Sequence, residues 1–417
     1  MQKTPLFPIL LVTFIDALGF SIVLPFMVVI VFKLGGHEVV YGLLSATYSF
    51  FQLISSPILG AWSDKFGRKK ILLISESGTF VAWLIFLIGL LLPYQQTSLF
   101  SIPLLFIFLG RALDGITGGN VSVANAYVAD ISAHEDRKKN FGKMAAVTNL
   151  GIIFGPLLAG ILGATAMGNT LPVIATALTS LIAVFVIYFR IHADKQTVIP
   201  TMELNRFSSV LKQTDKKVIP TVELNRLSTV LKLPNVPYFL TLYFLIFLGF
   251  NFFYVGFPIH AAGELHWSVL QLGIFFAFLS GMMVLVEGPV LTFLAKKFSG
   301  ASLIITGSFI LCICFILLQF NNIVLIYTGA LLFAIGNGIM WPSFVALLSN
   351  TGDEHVQGMI QGFAGSAGSL ASIIGLVSGA FLYHIVGSGL FVITATFMLL
   401  IAFASIPLIK IEKSVIP

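Results

Sequence analysis

The chain has 417 residues, of which 57% are hydrophobic and only 10% charged, and its mean hydropathy is +1.00. Water-soluble domains carry roughly 25% charged residues, so a soluble enzyme, a disordered protein and a nucleic-acid binder are excluded despite a formal net charge of +6. At about 20 apolar residues per membrane crossing, such a chain has room for around twelve helices with short connections.

Apolar runs fall in chain order at about 8–32, 40–61, 71–92, 102–130, 142–164 and 170–190, then at 236–262, 269–294, 301–319, 323–348, 356–384 and 387–409. They are numbered helix 1 to helix 12. The first run follows Met1-Gln2-Lys3 with no small-residue cleavage pattern, and reads as a span rather than a removable leader. The fold class expected is an all-α polytopic membrane protein of twelve transmembrane helices in two pseudo-symmetric six-helix bundles. Residues 1–190 form the first bundle, 191–235 a linker and 236–417 the second. The two halves look like divergent copies: helix 5 carries Gly155-Pro156-Leu157-Leu158-Ala159-Gly160, and helix 11 carries Gly375-Leu376-Val377-Ser378-Gly379 at a comparable place. Paired halves suggest a transporter with one site at their interface.

Basic residues set the orientation. Lys65, Arg68, Lys69 and Lys70 lie between helices 2 and 3, and Arg137, Lys138, Lys139 and Lys143 between helices 4 and 5. Lys296 and Lys297 follow helix 8; Lys410 and Lys413 follow helix 12. Loops on the other face hold only Lys33. Both termini and the linker are therefore expected in the cytoplasm, with the protein in a bacterial inner membrane. The linker carries a 20-residue duplication, Val198-Ile199-Pro200-Thr201-Met202-Glu203-Leu204-Asn205-Arg206 returning as Val218-Ile219-Pro220-Thr221-Val222-Glu223-Leu224-Asn225-Arg226. Loops accept such insertions cheaply.

The turn after helix 2 reads Gly60-Ala61-Trp62-Ser63-Asp64-Lys65-Phe66-Gly67-Arg68-Lys69-Lys70. It resembles the G-x-x-x-D-[RK]-x-G-R-[RK] signature of the major facilitator superfamily at every defined position. Helix 4, with Arg111-Ala112-Leu113-Asp114-Gly115 running on to Asp130, resembles the arginine-bearing fourth helix of proton-coupled facilitators. Gly151, Gly155, Pro156 and Gly160 of helix 5 look like the glycine-proline motif of its drug/proton antiporters. Helix 1, around Asp16 and Pro25, is similar to the start of the tetracycline-efflux proteins. The resemblance implies alternating access, proton coupling and export of small amphipathic compounds. It also implies a cytoplasmic gate of Gly60, Asp64, Gly67, Arg68 and Asp130. Transport of a polar metabolite, with Arg111 binding its carboxylate, and a non-transporting membrane sensor stay open as alternatives. The tetracycline group carries acids in the middle of helices 3 and 9. Here helix 3 has Phe80-Val81-Ala82-Trp83 and helix 9 has none, so tetracycline itself is not the expected substrate.

Ionisable groups at membrane depth mark function by default. Arg111 and Asp114, three apart, share a helical face and can partly neutralise each other. With Asp16 they form the expected proton-coupling set, the carrier being Asp114 or Asp16. Glu76 lies nearer the cytoplasm, where it can reach loop bases, and Glu287 precedes Gly288-Pro289 near the end of helix 8. Tyr48, Gln52, Asn149, Asn251, Tyr254, Asn337 and Trp341 form a pool of substrate-binding candidates, since pockets combine an aromatic wall with a few polar groups. Gly151, Gly155 and Gly160 are spaced for close helix approach, and Gly358, Gly362 and Gly365 repeat the pattern in helix 11. His260, His266 and His384 lack metal-ligand spacing. Cys312 and Cys314 sit too close along one helix to pair. The partners expected are a small-molecule substrate, protons and the lipid bilayer, with no nucleic acid, cofactor or metal, and the chain is expected to be a monomer.

Overall fold

The computed structural model describes residues 5–93, 101–132, 136–191, 235–349 and 354–415. The helices keep the numbers of the apolar runs. Helix 1 is Phe7–Lys33, helix 2 Glu38–Phe66, helix 3 Arg68–Leu91, helix 5 Arg137–Gly163 and helix 6 Thr170–Arg190. In the second half helix 7 is Val236–Gly263, helix 9 Gly300–Leu318, helix 10 Ile323–Ser349, helix 11 Glu354–Val386 and helix 12 Gly389–Ala404, followed by a short helix, Leu408–Val415. The linker duplication lies outside the described residues.

Three helices depart from a plain rod, each for a local reason. Helix 1 bends by 40° at Pro25, where the ring removes one backbone donor. Helix 8 runs Val269–Leu285, widens into a π turn over Val286–Val290 and resumes as Leu291–Leu294. Pro289 lies inside that turn, and the wider winding accommodates its missing N–H. Helix 4 is two pieces, Ile102–Thr117 and Asn120–Ile131, separated by Gly118 and Gly119.

Among the described residues ten helices are long and apolar enough to cross a membrane, and helix 1 is an eleventh once its bent parts are counted together. Helix 2, at 29 residues, is long enough but more polar, with Ser45, Thr47, Tyr48, Ser49, Gln52 and Ser55 along it. The outer faces carry exposed Phe185, Phe189, Phe309 and Phe403, a belt that water would not tolerate and lipid accepts. Buried apolar residues of both halves form one core cluster, and a separate cluster around Ile9, Leu72, Val128 and Ile187 lies within the first half.

Among the described residues, the close glycine contacts between the halves lie near one end. The end bearing both termini and the helix 2–3 turn is called here the terminal face. At the opposite face, a Cβ on Gly42 of helix 2 would lie 2.7 Å from the Leu376 carbonyl of helix 11. There Gly160 of helix 5 packs on Leu270 and Gly273 of helix 8, with a Cβ meeting Leu270 Cα at 3.2 Å. Toward the terminal face, Gly281 and Gly288 of helix 8 and Gly362 and Gly365 of helix 11 have nothing within 4 Å of such a Cβ. The expected close-packing role of Gly362 and Gly365 is therefore not realised in this conformation. The helices that would meet there stand apart, and the molecule opens toward the terminal face.

Candidate functional site

The break in helix 4 builds the site. A helix end leaves carbonyls without intrahelical partners, and at membrane depth no water relieves them. Side chains from helices 2 and 3 do so instead. Gln52 Nε2 donates to the Gly118 carbonyl at 3.0 Å and to Tyr48 Oη at 2.9 Å. Ser55 Oγ donates to the Gly115 carbonyl at 3.0 Å. Ser75 Oγ donates to the Thr117 carbonyl, and the Thr79 and Thr117 hydroxyls are 3.0 Å apart. Tyr48 and Gln52, candidates for substrate contact, thus also anchor the break.

On one side of the break, Arg111 Nη1 donates to Asp114 Oδ2 at 2.7 Å with both residues buried. The guanidinium carbon stands 4.5 Å from the Tyr48 ring centroid, a cation–π contact. Arg111 Nε is buried with no hydrogen-bond partner.

On the other side, Asn120 opens the second piece of helix 4. Its Nδ2 donates to Asp16 Oδ2 of helix 1 at 2.9 Å and to Glu76 Oε1 of helix 3 at 2.5 Å. Glu76 is 1% exposed, and its Oε2 has no partner. The expected reach of Glu76 to loop bases is therefore overturned. Helix 3 starts directly at Arg68, so Glu76 lies eight residues and about 12 Å along it, beyond those bases. Sequence reasoning missed Asn120 altogether. Its one signal was a polar amide just after a Gly-Gly pair inside an apolar run.

The turn after helix 2 is a compact ion network. Gly67 has φ +94°, a backbone conformation that favours glycine. Arg68 Nη1 is 2.5 Å from Asp64 Oδ1 and 2.6 Å from Ser63 Oγ, and Arg68 Nε is 3.0 Å from Asp130 Oδ2. The network ties helices 2, 3 and 4 of one half. Gly60 has only an ordinary contact, a Cβ there lying 3.7 Å from Ser122 Oγ. In the second half, Glu412 of the short last helix accepts from the Gly300 and Ala301 N–H groups at 2.7 and 2.9 Å. It caps helix 9 where the first half has its Asp-Arg turn.

The remaining candidates disperse. Asn251 Nδ2 donates to the Phe247 carbonyl and to Ser372 Oγ, joining helices 7 and 11. Trp341 stands edge-on to Tyr243 and Phe247 at 5.2 and 5.1 Å between centroids, making an aromatic wall. Asn337 is buried with an unpartnered Oδ1. Tyr254 packs on Phe253 and Phe333, and Asn149 is exposed on helix 5. In helix 5, a Cβ on Gly151 would meet the Phe14 carbonyl at 2.7 Å and one on Gly155 would meet Ile22 N at 2.8 Å. Those two glycines, five and one residues before Pro156, hold helix 5 against helix 1, and Gly160 beyond it faces helix 8.

The chain is 27% identical to the class H tetracycline resistance protein of Pasteurella multocida, over 90% of this chain and 88% of that one. Its fold matches the crystal structure of a D-xylose–proton symporter with a TM-score of 0.73 at 15% identity, covering 96% of each chain. It also matches the human organic anion transporter MFSD10 with a TM-score of 0.64 at 18% identity, over 96% of this chain and 98% of that one. The Major Facilitator Superfamily model aligns with residues 9–376 and again with 239–416; this integral membrane protein belongs to the Major Facilitator Superfamily.

Proposed function

We propose that the protein is a proton-coupled secondary transporter that exports small amphipathic compounds by alternating access, with its two halves, 1–190 and 236–417, rocking about a shared site. The observation that carries this reading is the set of ionisable groups around the helix 4 break. Arg111 with Asp114, and Asp16 with Glu76 through Asn120, sit on helices 1, 3 and 4 of one half. Ionisable groups gathered at membrane depth mark function by default, and the Asp16–Glu76 pair, together with the Arg111–Asp114 pair, supplies the proton-exchange sites. The similarity to a tetracycline resistance protein supports export of a drug-like compound. The basic loops support a cytoplasmic terminal face in a bacterial inner membrane, and on that reading this conformation opens inward. The Arg68–Asp64–Asp130 network acts as the cytoplasmic gate. Tyr48, Gln52, Asn251, Tyr254, Asn337 and Trp341 are the pool from which substrate contacts are drawn; exposed Asn149 is the weakest member.

A second reading, transport of a carboxylate-bearing compound, is favoured by one feature. The buried Arg111 Nε has no partner, and a guanidinium binds carboxylates in fork geometry.

The test is transport into proteoliposomes under an imposed pH gradient, with a panel of amphipathic drugs and organic anions. Gradient-driven accumulation by the wild type, lost in Asp114→Asn or Asp16→Asn, is the expected result. Gradient-independent exchange that survives loss of both acids would overturn the coupling assignment.

A further inference from the structure

His37 and Glu38 open helix 2 in the first half, and His384 lies in the last turn of helix 11 in the second. Nearly 350 residues apart in sequence, they meet where the halves close at the face opposite the termini. His384 Nδ1 is 3.0 Å from Glu38 Oε2, and the two imidazole centroids are 5.7 Å apart. One ligand atom from each of the three residues lies within 4.8 Å of the others. Their sequence spacing hid this grouping, since His384 alone has no partner within a turn of its own helix.

The donor set is two imidazoles and a carboxylate. That combination suits a tetrahedral transition-metal ion with water in the fourth position, at about 2.0–2.2 Å from each donor. Such a mixed N/O set discriminates against magnesium and calcium, which take oxygen ligands. Both histidines are exposed, so a rotamer change can draw in the more distant donor without disturbing the core. The close approach of Gly42 to Leu376 nearby shows that helices 2 and 11 are packed together at this end.

We propose that His37, Glu38 and His384 form a zinc-type metal site that staples helix 2 to helix 11. Because its ligands come from both halves, the site is complete only while this face is closed. Zn2+ bound here selects the conformation open toward the terminal face, as any ligand does that binds one state better than another. On the transport reading, such selection slows turnover.

Calorimetric titration of the full-length, tag-free protein in detergent with Zn2+ tests the site, with Mg2+ as the control ion. The expected result is one Zn2+ per chain and no Mg2+ binding. His37→Gln, Glu38→Gln and His384→Gln should each weaken the affinity by more than the roughly 10–100-fold that disturbing an outer-shell partner costs. His266→Gln, on the same face but outside the cluster, should leave it unchanged. Zn2+ should also raise the thermal midpoint of the wild type but not of His384→Gln. Binding undiminished in the His37→Gln/His384→Gln double variant would overturn the proposal. So would binding that depends on His37 and Glu38 but not on His384, because it would confine the metal to one half. The titration reads metal alone, so it stands or falls separately from the transport assignment, which is tested in proteoliposomes.

Discussion

At the scale of single residues, Asn120 is the position on which the acids depend. It is the amide that meets both Asp16 and Glu76, and replacing it leaves buried acceptors without that donor. Asn120→Ala should cost about 1–3 kcal/mol, read as a lowered thermal midpoint in detergent. Glu76→Gln has a different expected signature. It keeps a side chain of the same size that can accept from Asn120, so the fold should survive while the pH dependence of transport changes; a wild-type pH profile would remove Glu76 from the coupling set. The Arg111–Asp114 pair was legible in the sequence because an i,i+3 spacing puts both groups on one face. The Asp16–Asn120–Glu76 group was not. Its members come from helices 1, 3 and 4, and nothing in the periodicity of any one helix says which of its faces meets another. The grouping of His384 with His37 and Glu38 was hidden for the same reason.

At the scale of elements, the span boundaries followed from hydrophobic runs to within a few residues, since lipid demands continuous apolar helices. The break in helix 4 was less legible. Glycine is more frequent in membrane helices than in soluble ones, and only the surrounding carbonyl partners mark this Gly-Gly pair as an interruption rather than a packing groove. Helix 4 also presses on helix 2. A Cβ on Gly115 would lie 2.9 Å from Phe51 Cβ and 3.1 Å from Tyr48 Cα. Gly115→Ala therefore has to push helix 2 away, at about 1–3 kcal/mol. Tyr48 would move with it, so both the thermal midpoint and substrate affinity should fall. An unchanged midpoint would show that helix 2 yields freely. The two halves differ in their loops: Asp64–Arg68 in the first half has no copy after helix 8, and Glu412 of the short last helix holds the start of helix 9 by a different route.

At the scale of the whole molecule, glycines record the conformation. Gly42 and Gly160 are pressed against the other half, while Gly281, Gly362 and Gly365 face open space. A cysteine at Gly365, in a variant freed of Cys312 and Cys314, should react with a membrane-impermeant maleimide in inside-out vesicles and not in right-side-out ones. The reverse pattern would overturn both the inward opening and the orientation read from the basic loops. The composition of helix 2 reaches further, into how the chain is made. Helix 2 is the full-length helix that falls outside the apolar set even when the bent helix 1 is counted, because its polar side chains serve Gly118, Gly115 and Arg111. A segment so marginal partitions poorly into lipid by itself. During synthesis its stable insertion should therefore depend on helix 4, whose Gly118 and Gly115 carbonyls take up Gln52 and Ser55. The residues that shape the site thus also couple the entry of helix 2 into the bilayer to that of helix 4.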